Sequence, residues 1–346
     1  MIKERNGGLY LSMSKRKLDI LIPQYKETYE VIKPLLDSIA LQQNVDLVND
    51  VGVIIVNDGS DVKLSEEKLR AEYPFFLKYV EAEHHGVSAT RNRALDESDA
   101  DYVMFCDADD MFYNLCGLYI VFREIENGGF DTLVSAFVEE TRNPMNKDEV
   151  VYITHPMDST FVHGKIHNRK FLKKNNIRWN DDLTIHEDSY FNCLCQKIAD
   201  PDNSKFCPTP FYLWKWRDES VCRHDPLYLQ KTYNNMLESS TALVNQFLKR
   251  KKREEARFYA TAMIYDAYFS LNCDKWLDIN NKEYRDNVEI RFKKYWRDYK
   301  KLFKETSKEI QTQIAASIRN RFYAEGLLNE KMTFEQWIEH IEKFNR

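Results

Sequence analysis

An α/β fold with a mainly parallel central sheet, followed by an α-helical C-terminal domain, is what the 346-residue chain predicts. Two observations carry this. Short apolar runs closed by turn residues alternate with helix-periodic segments through the first half of the chain, the pattern of βαβ units. From Pro226 onward the apolar residues recur only at helical spacing (Leu237, Leu243, Phe247; Phe292, Trp296, Leu302). The length suits two domains, and a hydrophobic share of 43% is enough for a core in each. The expected boundaries are a polar arm over residues 1–16, an α/β domain over 17–225 and a helical domain over 226–346.

The elements follow in order. Residues 18–23 are a short apolar strand stopped by Pro23, and residues 29–42 have helical periodicity (Val31, Leu35, Leu36, Ile39). Residues 51–56 form a second strand, closed by Asn57-Asp58-Gly59-Ser60. A third strand is expected over 76–80, a helix from Gly86 to Leu95, and a fourth strand over 101–106. That strand runs straight into Asp107-Ala108-Asp109-Asp110. Right-handed crossovers bring the carboxyl ends of strands one, two and four to one edge, which collects Pro23, Tyr25, Asp58 and the aspartates. Further on, a helix over 115–126 ends at Gly128-Gly129. Residues 130–138 and 150–154 read as antiparallel strands, 170–176 as a short helix, and 207–216 as a last, aromatic strand. His186-Glu187-Asp188 precedes a helix with Tyr190, Phe191, Leu194, Cys195 and Ile198 on its apolar face.

Composition excludes several classes. No stretch approaches the roughly 20 apolar residues that span a bilayer, and the N-terminus has no apolar segment of a signal peptide, although Met13 offers an alternative start. Seven scattered cysteines, with Cys193 and Cys195 one residue apart, match no zinc or thioredoxin spacing. A soluble, cytoplasmic protein with reduced thiols is expected, with the inner membrane face as a peripheral location. Net charge is -5, yet residues 226–346 carry 23 Lys+Arg against 17 Asp+Glu. That asymmetry points either to an anionic partner or to a salt-bridged helical surface.

Chemistry concentrates at the sheet edge. Three carboxylates within four positions at the end of a buried strand suit a divalent metal and a phosphate-bearing ligand; a solvated turn capping the next helix is the alternative. In an extended segment, residues two apart point the same way, so Asp107 and Asp109 would address one site. Asp110 either joins them or caps the helix. Tyr25 offers a ring for a base, Asp58 an acceptor for an imide N–H, and Gly59 close passage for a ligand. Asp58-Gly59-Ser60 is also an ordinary turn. Arg91 and Asn92 lie in the first turns of a helix, where a guanidinium and free N–H groups suit a diphosphate; Arg93, one residue along, reads as a surface cation.

The segments Ile22-Pro23-Gln24-Tyr25-Lys26-Glu27, Val56-Asn57-Asp58-Gly59-Ser60, Gly86 to Leu95 and Phe105 to Asp110 resemble, in order and spacing, glycosyltransferase family 2, with its GT-A nucleotide-sugar fold. The likeness continues through His163-Gly164-Lys165 and Ile177-Arg178-Trp179 to His186-Glu187-Asp188 and ends near Ser220-Val221-Cys222-Arg223-His224. It covers about the first two thirds of the chain. Each motif is weak alone; together, in this order, they are a strong signal.

The resemblance implies a nucleotide sugar, a UDP-sugar as first choice, over Pro23, Tyr25, Glu27, Asp58, Arg91, Asn92, Asp107 and Ala108. It implies Mn²⁺ or Mg²⁺ at Asp109 and Asp107, with His224 as a further ligand or a plain surface histidine; the other histidines receive no metal role. Asp188 becomes the base that deprotonates the acceptor hydroxyl, with inversion, and Glu187 an acceptor contact or helix cap. Processive synthases of the family carry a Gln-x-x-Arg-Trp motif and membrane helices. This chain has Trp214-Lys215-Trp216-Arg217, which implies addition of one sugar or a few. The implied acceptor is a surface glycan or its lipid-linked precursor, teichoic acid or another polyanion, or hydroxymethylated DNA. Homo-oligomerisation through the C-terminal helices is open.

Two rivals are weighed. A nucleotidyltransferase wants a Gly-rich phosphate loop after the first strand, where this chain has Pro23-Gln24-Tyr25-Lys26-Glu27. A catalytically inactive binding or scaffold protein with the same fold would be expected to have lost the metal or base carboxylates, and they are present.

Overall fold

The structure, a computed structural model, describes residues 15–218, 228–272, 281–324 and 331–343. Its strands are β1 (Leu18–Gln24), β2 (Val51–Asp58), β3 (Phe76–Ala82), β4 (Tyr102–Phe105), β5 (Met111–Phe112), β6 (Thr132–Asn143), β7 (Asn146–His155), β8 (Lys165–Asn168) and β9 (Ser204–Trp214). The helices of the first half are α1 (Tyr29–Ala40), α2 (Leu47–Asp50), α3 (Glu66–Glu72), α4 (Val87–Glu97), α5 (Gly117–Glu126), α6 (Arg169–Lys174) and α7 (Glu187–Ile198). Those of the second are α8 (Tyr228–Lys231), α9 (Tyr233–Lys249), α10 (Arg253–Asn272), α11 (Lys282–Glu305), α12 (Lys308–Ala324) and α13 (Phe334–Lys343).

The strands form one mixed sheet in the order β3-β2-β1-β4-β8-β6-β9-β5, with β7 paired to β6. β3, β2, β1 and β4 are parallel, as the alternating pattern predicts. Beyond them β8 runs antiparallel to both β4 and β6, and β6 is parallel to β9. β8 and the two-residue β5 are not foreseen by apolar patterning, since Lys165-Ile166-His167-Asn168 is mostly polar. β1 and β2 are buried along nearly their whole length. That is why they read as continuous apolar runs rather than alternating ones. Ile32, Leu35, Leu36 and Ile39 bury the inner stripe of α1, at the i, i+3, i+4, i+7 spacing of an amphipathic helix.

The described chain divides into two units that interleave in sequence. One comprises the residues up to Asp158 with His163–Asn176 and Pro201–Lys215; the other comprises Ser159–Val162, Ile177–Asp200 and the residues from Trp216 on. The first holds the sheet. The second holds α7 together with the C-terminal helices. Its core is built on α11, where Val288, Phe292, Tyr295, Tyr299 and Leu302 are buried at helical spacing, and on Trp337 of α13, whose ring lies 4.8 Å from Phe292. Among the described residues no helix is long and apolar enough to cross a membrane.

Candidate active site

The parallel register brings the carboxyl ends of the first strands to one edge. Gln24 pairs with Asn57, and Leu21 with Phe105, so Tyr25, Asp58 and Asp107 leave the sheet side by side, at the place where α/β sheets bind ligands.

Each of these turns is fixed by its own hydrogen bonds. The Gln24 amide donates to Glu27 O at 2.8 Å and Val62 O at 3.0 Å. Tyr25 N–H donates to Glu27 Oε2 at 2.5 Å, and the Tyr25 ring, 42% exposed, stacks on His84 at 4.7 Å. Asn57 closes the second turn, with Ser60 N–H donating to its Oδ1 at 2.8 Å. Within that turn Gly59 has φ +69°, and a Cβ there would lie 2.6 Å from His84 N. Asp58 is 4% exposed. Its Oδ1 accepts from His85 N–H at 2.9 Å and its Oδ2 from Gly86 N–H at 3.0 Å, so the carboxylate ties the end of β2 to the start of α4.

Pro23 and Ala108 are backbone-lining positions of this edge, Ala108 being buried. Arg91 and Asn92 of α4 are both buried. The Arg91 guanidinium is 4% exposed and donates from Nη2 to Asp107 Oδ1 at 2.8 Å. It braces the first aspartate of the cluster.

The aspartate segment turns instead of staying extended: Asp110 N–H donates to Asp107 O at 3.2 Å, so an extended-chain alternation does not set the directions of Asp107 and Asp109. The turn instead gathers Asp107, Asp110 and His163, whose ligand atoms lie within 4.8 Å of one another. Two carboxylates and one imidazole nitrogen fit a divalent cation such as Mn²⁺ or Mg²⁺. Asp110 is 1% exposed. Tyr212 Oη donates to its Oδ2 at 2.5 Å and Lys215 N–H to its Oδ1 at 2.9 Å, while Asp107 N–H donates to Tyr212 Oη at 3.2 Å. Burial, and then the charges of Asp109 and Asp107, push the Asp110 carboxyl well above its ordinary range; burial and the Asp110 and Asp107 charges raise the Tyr212 phenol likewise. A divalent cation held by Asp107, Asp110 and His163 would offset that repulsion.

His163, Tyr212 and Lys215 were not foreseen here. His163 carries no metal signal in its spacing to other histidines, and what marks it in sequence is the His163-Gly164-Lys165 segment, which introduces β8 beside β4. Its ring stacks on Tyr212 at 5.0 Å. Asp109 lies on the turn, half-buried, and His224 falls outside the described residues.

In the second unit, His186 takes a left-handed conformation (φ 63°) and caps α7. Ser239 Oγ of α9 donates to His186 O at 2.9 Å. Glu187 and Asp188 therefore occupy the first turn of α7, half-buried. Ser189 N–H donates to Asp188 Oδ1 at 2.7 Å.

The model of glycosyl transferase family 2 matches residues 19–192, half of the chain. Glycosyltransferase GlyA of Streptococcus pneumoniae serotype 4 is 34% identical over 199 residues, 51% of this chain and 27% of that protein. The teichoic acid poly(glycerol phosphate) polymerase of Staphylococcus epidermidis is 26% identical over 187 residues, 51% of this chain and 25% of that protein. The chain thus spans about a quarter of the length of these curated relatives. Among solved structures, S. aureus TarS 1-349 in complex with UDP-GlcNAc has a TM-score of 0.61 at 16% identity, covering 91% of this chain and 93% of that one, a likeness of fold. With the parallel strands, the acidic turn and the helical C-terminal region all in place, the chain belongs to glycosyl transferase family 2 and has the GT-A fold.

Proposed function

We propose that the protein is an inverting, metal-dependent glycosyltransferase that moves one sugar, or a few, from a UDP-sugar to an acceptor hydroxyl. The observation that carries this is the sheet edge, where an exposed Tyr25 ring, the Asp58 clamp on α4 and an Arg91-braced Asp107 stand beside a carboxylate–imidazole cluster. The solved relative in complex with UDP-GlcNAc supports the choice of donor.

In this reading the base of the nucleotide lies over Pro23 and Tyr25 beside Asp58, and Glu27 holds the Tyr25 loop. The diphosphate faces the start of α4 near Asn92, with Ala108 beneath the ribose. Asp107, Asp109, Asp110 and His163 are the residues available to hold Mn²⁺ or Mg²⁺, and His224 remains a proposed further ligand. When bound, that ion offsets the negative charge that develops on the leaving diphosphate. Asp188 takes the proton of the acceptor hydroxyl, and Glu187 positions that acceptor.

The acceptor in this reading is a surface glycan or teichoic acid, a choice supported by the name of the S. epidermidis relative. Scattered cysteines that match no zinc or redox spacing fit a cytoplasmic location.

The test is UDP release from a panel of UDP-sugars with Mn²⁺, with and without EDTA, for wild type and Asp188→Asn. The expected outcome is slow hydrolysis of one donor that EDTA abolishes, with Asp188→Asn keeping UDP affinity and losing at least a hundred-fold in transfer, about the contribution of a general base. A wild-type chain that neither binds nor hydrolyses any nucleotide sugar refutes the reading.

A further inference from the structure

A cavity of about 370 Å³ opens in the second unit, between the loop ahead of α7 and helices α9 and α11. Its size lies within the roughly 300–1,000 Å³ of small-molecule sites. Its frame is shared with the residues assigned to acceptor activation. Asn180, Asp182 and Leu183 form one wall, and the chain runs from them directly into Glu187 and Asp188. Helix α9 supplies another wall through Leu237 and Thr241, and the same helix holds His186 O through Ser239.

The chemistry of the walls is selective. Asn234 Nδ2 donates to Asn287 Oδ1 at 3.0 Å, while its Oδ1 is buried with no hydrogen-bond partner. A buried amide oxygen left in that state is expensive, and a donor from a ligand satisfies it. Among the described residues the Asp182 carboxylate and the Lys294 ammonium at the cavity have neither an ion pair nor a side-chain hydrogen bond. Arg291, by contrast, is already engaged by Glu238 and by Asn287. The Tyr295 and Tyr299 hydroxyls are spent on Ser240 at 2.9 Å and Asn245 at 2.8 Å, so these residues offer the cavity their rings. Glu238 is paired with Arg291 and Asp298 with Arg297, which leaves Asp182 and Lys294 as one charge of each sign in the lining, so the cavity presents no excess of positive charge for an anion.

An amide oxygen, a carboxylate and an ammonium, each with open capacity in a cavity that Tyr295 and Tyr299 also line, match a ligand whose hydroxyls both donate and accept. We propose that this cavity is a carbohydrate subsite, which binds a neutral saccharide unit of the acceptor within the unit that also carries Glu187 and Asp188. The proposal rests on the transferase reading and narrows its acceptor: the part held here is an uncharged sugar, not a phosphate.

The test is saturation-transfer NMR on the full chain with methyl glycosides of glucose, galactose and N-acetylglucosamine, and with glycerol 3-phosphate, run beside the UDP-release assay. At least one glycoside is expected to receive saturation from the wild type. Asp182→Ala and Asn234→Leu should each weaken it roughly ten-fold, the effect of losing one hydrogen-bonding group, while circular dichroism and the rate of donor hydrolysis by water stay unchanged. Donor hydrolysis with no glycoside bound, or with glycoside binding untouched by both variants, overturns the subsite and leaves the transferase reading standing. Binding of glycerol 3-phosphate alone, lost in Lys294→Met, overturns the saccharide assignment. Absence of both hydrolysis and glycoside binding overturns the subsite and the transferase reading together.

Discussion

Tyr212→Phe is the most informative single change in the sheet unit. The substitution keeps the ring, which is fully buried, and removes one oxygen. That oxygen donates to Asp110 Oδ2 at 2.5 Å and accepts Asp107 N–H at 3.2 Å. Without it, a carboxyl that is 1% exposed loses a donor and a backbone N–H loses its acceptor. Lys215 N–H, at 2.9 Å, stays on the other oxygen of Asp110. Leaving a buried polar group unsatisfied costs about 1–3 kcal/mol, and the second, longer bond contributes about 1 kcal/mol. The expected loss of stability is therefore about 2–4 kcal/mol. Urea unfolding followed by circular dichroism measures it, as a midpoint lowered by about 1 M or more for a typical slope. The same variant loosens the turn that holds Asp107 opposite Arg91, so metal-dependent donor hydrolysis should fall as well. Tyr25→Phe is the control: its hydroxyl sits on a ring that is 42% exposed, and it should lie within about 0.5 kcal/mol of wild type. A Tyr212→Phe protein as stable as that control would refute the view that the phenol ties the aspartate turn together.

Two further outcomes are expected. Gly59→Ala places a Cβ at φ +69°, 2.6 Å from the backbone nitrogen of His84; left-handed backbone alone costs about 1–2 kcal/mol for a residue with a Cβ, so this variant should lose at least that much stability in the same urea titration and bind UDP more weakly. Burial lowers the His186 pKa from its ordinary value. The unfolded chain then binds the proton more readily, so the stability from this residue is complete above about pH 6.5 and is lost as pH falls from there through the depressed folded value. His186→Asn, which suits the left-handed cap, should flatten the decline of unfolding free energy between pH 7 and pH 5, and identical acid limbs for the two proteins would refute this.

Most of the first sheet was legible because β1, β2 and β4 are buried on both faces and must be apolar throughout, and apolar runs survive in sequence whatever the rest of the fold does. The helical second half was legible for the same reason, through the buried stripe of α11. The motif residues, too, announced themselves, since three aspartates, a Gly-bearing turn and an acidic helix start are local features. Tertiary structure alone decided what those residues touch. Asp107 and Asp109 look paired in an extended strand, but a backbone hydrogen bond between Asp110 and Asp107 curls the segment and brings Asp110 and His163 to Asp107 as well. Arg91 reads in the sequence as a contact for a diphosphate, and the packing of α4 adds what the sequence does not show, its burial against Asp107. β8 is the clearest case: Lys165 and His167 lie in a stretch without apolar patterning, and both are buried because the strand is inserted antiparallel between β4 and β6. Polar residues can occupy such a strand when the fold supplies partners, as Asp158 does for Lys165 at 3.5 Å and Thr132 for His167 at 3.1 Å. Local pattern reports which faces must leave water; which polar groups meet there depends on strands distant in sequence, and only the folded chain brings them together.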